Sequence, residues 1–201
     1  MRVFSYVVVV DSGFAPNPFH GALTLACCKP KIREHADPGD LIVGLTGASR
    51  GNRVVFVAEV DEKLTFNQYW MDRRFRRKRP DMSSKVTVRR RGDNIYEPLG
   101  GSRFRQLHSA HSNGEAEHRG NKTHDLGGRA VLVARDFSYF GDEAISLPSR
   151  FADLIVGRAH KCRFPETLVQ AVDRWRQKLP KGVQAAPHRW SDDDTSWKRC
   201  S

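Results

Sequence analysis

Residues 41–45 (LIVGL) and 53–60 (RVVFVAEV) constrain the fold more than any other part of the chain. Both runs are rich in β-branched residues, and the seven small or polar residues between them, TGASRGN, continue neither. The pair reads as an antiparallel hairpin, because branched side chains pack well on a pleated surface and a short polar link turns the chain back beside itself.

Shorter segments extend that sheet. Residues 4–10 (FSYVVVV) predict a buried strand that stops at the turn signal Asp11-Ser12-Gly13. Residues 21–28 (GALTLACC) read as a second strand, with Leu23 and Leu25 on one face and Thr24 and Ala26 on the other. Pro30 opens a helical turn over KIREHA, since proline at the first helical position forfeits no hydrogen bond. Residues 65–79 (TFNQYWMDRRFRRKR) predict one helix capped by Thr65, with Phe66, Tyr69, Trp70 and Phe75 near helical spacing and Pro80 ending it. KVTVRRR alternates like a strand and leads through the turn GDN into IYEPL; RAVLVARDFSYFG and EAISLP also read as strands. A last helix starts at Pro165 and places Leu168, Val172, Trp175 and Leu179 on one face.

Strands, a helix, more strands and a final helix, without regular βαβ alternation, predict an α+β fold: a twisted, barrel-like, mainly antiparallel sheet with flanking helices. Residues 1–190 are expected to form a single domain with a long polar loop at 109–128, and residues 191–201 a polar tail. No apolar run approaches the roughly 20 residues that span a bilayer, and the amino terminus lacks a signal-peptide pattern, so no membrane is expected. Cys27 and Cys28 are neighbours, Cys162 and Cys200 stand alone, and this poor disulfide framework points to a reducing cytoplasm.

The net charge of +11 attracts polyanions, so the expected partner is nucleic acid, DNA before RNA, or a nucleotide. Two clusters concentrate that charge. Arg73, Arg74, Arg76, Arg77, Lys78 and Arg79 close the first long helix, and Arg89, Arg90 and Arg91 close a strand. Neighbouring cations repel one another unless an anion lies close, so Arg73, Arg74, Arg76, Arg77, Arg89 and Arg90 are the candidate phosphate ligands. His108, His111, His118 and His124 share the polar loop, but they lack the paired Cys or His spacing of a structural zinc site. Cys27 or Cys28 with His160 and Cys162 would need long-range proximity. No metal and no cofactor are expected. A sharper candidate is a thiol nucleophile at Cys28, with Lys29, Lys31 and Arg33 favouring the thiolate and His20 as its base. Such a site needs an acceptor pocket, which the sequence does not display, and small buried cysteines are the commoner outcome.

DSGFAPNPFHGALTLACCKPKIR, followed by GDLIVGLTG, VVFVAEV and the later GDNIY, resembles the nucleotide modification associated domain 2 family of bacteria and phages. The likeness covers most of the chain and implies a place in systems that modify or recognise altered nucleic-acid bases. The strand pair also looks like the core of PUA-like, ASCH-like and EVE-like domains, small barrels that hold a base in a pocket. A base-holding pocket needs a wall, groups for the base edge and charge for the phosphate. On this resemblance Phe19, His20, Cys28, Lys29, Pro30 and Arg33 form one side of the pocket, with Asn94 and Tyr96 opposite. The implied function is recognition of a modified or flipped base. The rival readings are an enzyme that makes or alters such a base, and a basic protein-interaction domain.

Overall fold

Along the chain, the elements are β1 (Val3–Val7), β2 (Leu23–Leu25), α1 (Pro30–His35), β3 (Leu41–Leu45), β4 (Val54–Glu59), β5 (Glu62–Leu64), α2 (Phe66–Met71), α3 (Thr87–Arg90), β6 (Tyr96–Pro98), β7 (Phe104–Gln106), α4 (Arg119–Leu126), β8 (Val131–Ala134), β9 (Phe137–Tyr139), β10 (His160–Lys161), α5 (Glu166–Arg176) and β11 (Gly182–Val183). The computed structural model describes residues 1–190 and Lys198, so the rest of the expected tail lies outside the described residues. The family of elements is mixed α+β, mostly sheet with few helices.

The predicted hairpin is the centre of the main sheet, with β3 and β4 paired antiparallel from Leu41 opposite Glu59. That sheet has six strands in the order β10-β1-β3-β4-β9-β11. It is open, so the expected barrel does not close. It is also less uniformly antiparallel than expected, because β1 runs parallel to β3 and β11 parallel to β9. A parallel pair needs a crossover. Here the crossover from β1 to β3 leaves the main sheet, contributes β2 to a three-stranded sheet ordered β2-β8-β5, and returns through α1.

Alternation along β1 explains the layering. Phe4, Tyr6 and Val8 join Leu23, Leu25, Ile32 and Leu132 in a core between the two sheets. Val3 points the other way, into a core with Leu41, Val43, Val169 and Val172 under α5. The far face of the smaller sheet packs Val131 and Val133 against Phe66 and Tyr69 of α2 and Tyr96 of β6. The final helix thus packs on the sheet as its periodicity predicts, with Leu168, Trp175 and Leu179 at the margin of its core.

Four sequence expectations change for identifiable reasons. The helix expected over residues 65–79 breaks at Asp72, whose backbone is extended and whose carboxylate accepts the Arg74 N–H, so a 3-10 turn Arg73–Lys78 follows α2. Its three-residue period puts Phe75 and Lys78 on one buried face. Thr65 caps α2 as predicted, in a reciprocal capping box with Gln68. KVTVRRR forms the short helix α3 rather than a strand; Val88 is its one buried residue, too little apolar surface to hold a strand in a sheet. EAISLP makes a single bridge from Ile145 to Val54. The polar stretch 109–128 carries α4, which buries Asp125. No helix among the described residues is long and apolar enough to cross a membrane.

Candidate active site

Cys28 lies where the crossover turns from β2 into α1. Its φ is 58° and that of Lys29 is 42°, two consecutive side chains in the left-handed region, which costs about 1–3 kcal/mol each and persists only where neighbours over-determine it. Two fixed groups do so. The Cys28 N–H donates to Asp125 Oδ1 at 2.7 Å, and Arg33 Nε donates to the Cys28 carbonyl at 2.8 Å.

Arg33 is fully buried. Besides Cys28, its guanidinium donates to the Ala130 carbonyl at 2.7 Å and the Asp125 carbonyl at 2.5 Å. It therefore clamps the Cys28 turn to the end of α4 and the start of β8, and all of its bonds go to backbone carbonyls rather than to a ligand. Gly128 allows this, since a Cβ there would meet the Arg33 guanidinium carbon at 2.6 Å.

The clamp sets three side chains in line. Cys28 Sγ lies 3.6 Å from His111 Nε2, and His111 Nδ1 lies 2.7 Å from Asp125 Oδ2. A carboxylate only accepts, so Nδ1 carries hydrogen and Nε2 faces the sulfur. Asp125 Oδ2 also accepts the Tyr96 hydroxyl at 2.8 Å. Burial opposes ionisation of Asp125, but the bonds from His111, the Cys28 N–H and Tyr96 hold its carboxyl below the usual range. Burial likewise pulls His111 down, yet its bonds to Asp125 and Cys28 outweigh burial and raise it to about 9. The result is a thiol, an imidazole and a buried carboxylate in the relation of nucleophile, base and orienter.

Cys28 and His111 open into a cavity of about 550 Å³. Val8, Val9, Val10, Ala15, Ile32 and Ala159 give it aliphatic walls, while Lys29, Lys31, His124 and His160 bring positive or ionisable groups to it. The sequence could not display this cavity beside the thiol.

The residues expected in one pocket divide between locations. Cys28, Lys29 and Pro30 line the cavity. Arg33 and Tyr96 stand behind it as supports. Phe19 is buried against Trp190, with ring centroids 5.3 Å apart, and Asn94 is buried with its amide on the Tyr69 and Phe75 carbonyls. His20 does not meet Cys28; burial and the nearby Lys78, Arg77 and Arg89 pull its pKa down to about 4. His111, the imidazole that does meet Cys28, was visible in the sequence only as one of four loop histidines. Asp125 gave no signal, because a lone aspartate in a polar run reads as solvated. The other loop histidines disperse: His118 caps α4 through Asn121 N, His124 reaches the cavity and His108 is exposed.

Cys27 Sγ, a His111 ring nitrogen and an Asp125 oxygen lie within 4.8 Å of one another, a grouping that could be read as cation ligands. The donors do not fit that role: His111 Nδ1 and both Asp125 oxygens are engaged in hydrogen bonds, and burial pushes the Cys27 thiol well up, against the thiolate that a metal needs.

The expected phosphate ligands also differ among themselves. Arg74 is held by Glu62 and Asp72, Arg89 by Asp81, and Arg90 by Ser84 and Thr87. Arg73, Arg76 and Arg77 are exposed and have no ion-pair partner among the described residues. Lys78 leaves the surface cluster altogether: it is buried and donates to the Asn17 carbonyl, Asn17 Oδ1 and the Ala22 carbonyl at 2.7–3.1 Å. Arg79 lies over Trp70, 3.8 Å from the ring centroid.

No curated protein and no solved structure matches the chain. The family model for nucleotide modification associated domain 2 matches residues 1–194. With nearly the whole length of the chain inside that match, the protein belongs to the nucleotide modification associated domain 2 family.

Proposed function

We propose that this protein is a thiol-dependent enzyme acting on a nucleotide or nucleobase within a nucleotide-modification system. The observation that carries the reading is the alignment of Cys28, His111 and Asp125 at a cavity large enough for a nucleotide-sized ligand. His111 holds the proton taken from Sγ, Asp125 fixes the ring and balances its charge, and the sulfur attacks an electrophilic carbon of the substrate. Lys29 supplies charge for a phosphate at the cavity, while Lys31 is paired with Glu34 at 2.8 Å. A reducing cytoplasm suits an enzyme that depends on a free thiol.

A second reading, recognition of a modified or flipped base in DNA, is favoured by Arg73, Arg76 and Arg77, which are exposed and have no ion-pair partner among the described residues. The two readings combine if the arginines hold the polymer while the cavity takes the base.

Iodoacetamide tests the nucleophile. Cys28 is expected to alkylate ahead of Cys27 and Cys162, and His111→Ala to slow it by roughly 100-fold. Equal rates at the three cysteines, or no effect of the substitution, would remove the thiol from the proposal. Binding to DNA oligonucleotides at two salt concentrations tests the second reading, with neutralisation of Arg73, Arg76 and Arg77 expected to flatten the salt slope.

A further inference from the structure

We propose that Cys28 carries an acyl group as a thioester, taken from a donor with a short aliphatic chain and passed to an amine of the nucleotide substrate. This rests on Cys28 as the nucleophile and names the chemistry of what it attacks.

Three features point to acyl chemistry. First, the walls beside the thiol are aliphatic, and two of them are spent on solvent: Val9 is 80% exposed and Val10 50%. An exposed valine pair at the margin of a reactive cavity is the surface that an aliphatic chain would cover. Second, one imidazole contacts the sulfur and is oriented from behind by a carboxylate, which suits a reaction in which the same proton carrier serves two successive half-reactions. Third, a charge-stabilising group is in place. The Cys28 N–H, next to the sulfur, is already committed to Asp125 and cannot serve an oxyanion. Lys29 can: it lines the same cavity, with Nζ 4.7 Å from the Tyr6 ring centroid. A cation in a partly desolvated site stabilises developing negative charge more than it would in water.

The steps balance without any redox partner. With its proton already held by His111, Sγ bonds to the carbonyl carbon of the donor, and the carbonyl oxygen becomes an oxyanion facing Lys29. The bond to the leaving group breaks, the leaving group takes the proton from His111, and a thioester remains. The substrate amine then attacks the thioester carbon and gives its proton to His111. The carbon–sulfur bond breaks and the sulfur recovers that proton, leaving an amide on the nucleotide and a free thiol.

The experiment uses the full chain and two artificial donors, p-nitrophenyl acetate and p-nitrophenyl butyrate, read by p-nitrophenolate release and by the intact mass of the protein. The wild type should gain one acyl group, Cys28→Ala none. The butyryl ester should react roughly tenfold faster than the acetyl ester relative to their rates with a free thiol, the gain from burying two further methylenes. Lys29→Met should slow acylation at least about tenfold more than it slows iodoacetamide alkylation of Cys28, because both reactions lose a cation beside the sulfur but only acylation develops an oxyanion. Intact alkylation without acylation would overturn the acyl carrier and leave the thiol enzyme standing. Loss of both reactions in the wild type would overturn the two together, and equal slowing of both by Lys29→Met would overturn the role of Lys29.

Discussion

Replacing Asp125 with Asn tests the electrostatic heart of the site. His111 titrates near 9 rather than at its ordinary 6.5 because its bonds to Asp125 and Cys28 outweigh burial, which alone would lower it. A histidine whose folded pKa is raised contributes its full stability below pH 6.5, and that contribution disappears as the pH climbs through about 9. At about 1.36 kcal/mol per unit the upshift is worth roughly 3 kcal/mol. With the ring 19% exposed, solvent screening reduces the expected loss to about 2 kcal/mol. Asparagine keeps the shape but not the charge, so burial should dominate and His111 should fall to its ordinary value or below. The assay is urea denaturation of both proteins at about pH 6 and about pH 9.5, with ΔG compared between the two conditions. D125N will cost about 3 kcal/mol at both pH values from the rest of the broken buried network, and at about pH 6 it will lose in addition the roughly 2 kcal/mol of the charged pair, so the quantity read is the change with pH. Lys78, pulled down to about 8 by burial against the opposing pull of Asp93, titrates in the same range with the opposite sign, raising stability as the pH passes 8. It does so in both proteins, and the double difference cancels it. Equal pH-dependent losses in wild type and D125N would refute the charged His111–Asp125 pair.

Two further outcomes follow from the surrounding structure. Gly128→Ala forces a methyl group against a guanidinium that three carbonyls hold in place, and should cost about 1–3 kcal/mol in a urea titration; an unchanged midpoint would mean that Arg33 is free to move. His20, pulled down to about 4 by burial and neighbouring cations, should weaken the fold as the pH falls from 6.5 toward 4. Asn tolerates the positive φ at this position, so His20→Asn should flatten that acid limb of the melting temperature, and an identical limb in the variant would contradict the assignment.

The parts of the fold legible in the sequence were those set by local rules. The hairpin of β3 and β4, the proline that opens α1, the Thr65 cap and the apolar face of α5 each follow from residues within one element. Parallel pairing of β1 with β3 was not legible, because the intervening segment looks like a strand and a turn, and nothing local says that its strand belongs to another sheet. KVTVRRR misled because alternation predicts a strand only where a neighbouring strand offers a ladder. The site divides the same way. Cys28 stood out beside its cations, but its base was expected at His20, eight residues away, rather than at His111. The pairing with His111 depends on Asp125 being buried by α4, in a stretch with almost no apolar residues to announce a folded element. Arg33 and Tyr96 were found for their chemistry and turned out to act on the protein itself, because a buried guanidinium and phenol satisfy the nearest acceptors.

The Arg33 clamp has a consequence for the life of the chain before it is finished. Cys28 and Asp125 are 97 residues apart, as are Arg33 and Ala130. At about 5–20 residues per second, a ribosome needs roughly 5–20 s to deliver the carboxylate after the cysteine. Throughout that interval the nascent thiol has neither its imidazole nor the bonds that hold its turn, so it meets the cell's electrophiles as an ordinary cysteine. The Cys28–His111–Asp125 alignment arrives only with the completed fold, and a chain released before residue 125 would carry the thiol without the carboxylate that orients its imidazole.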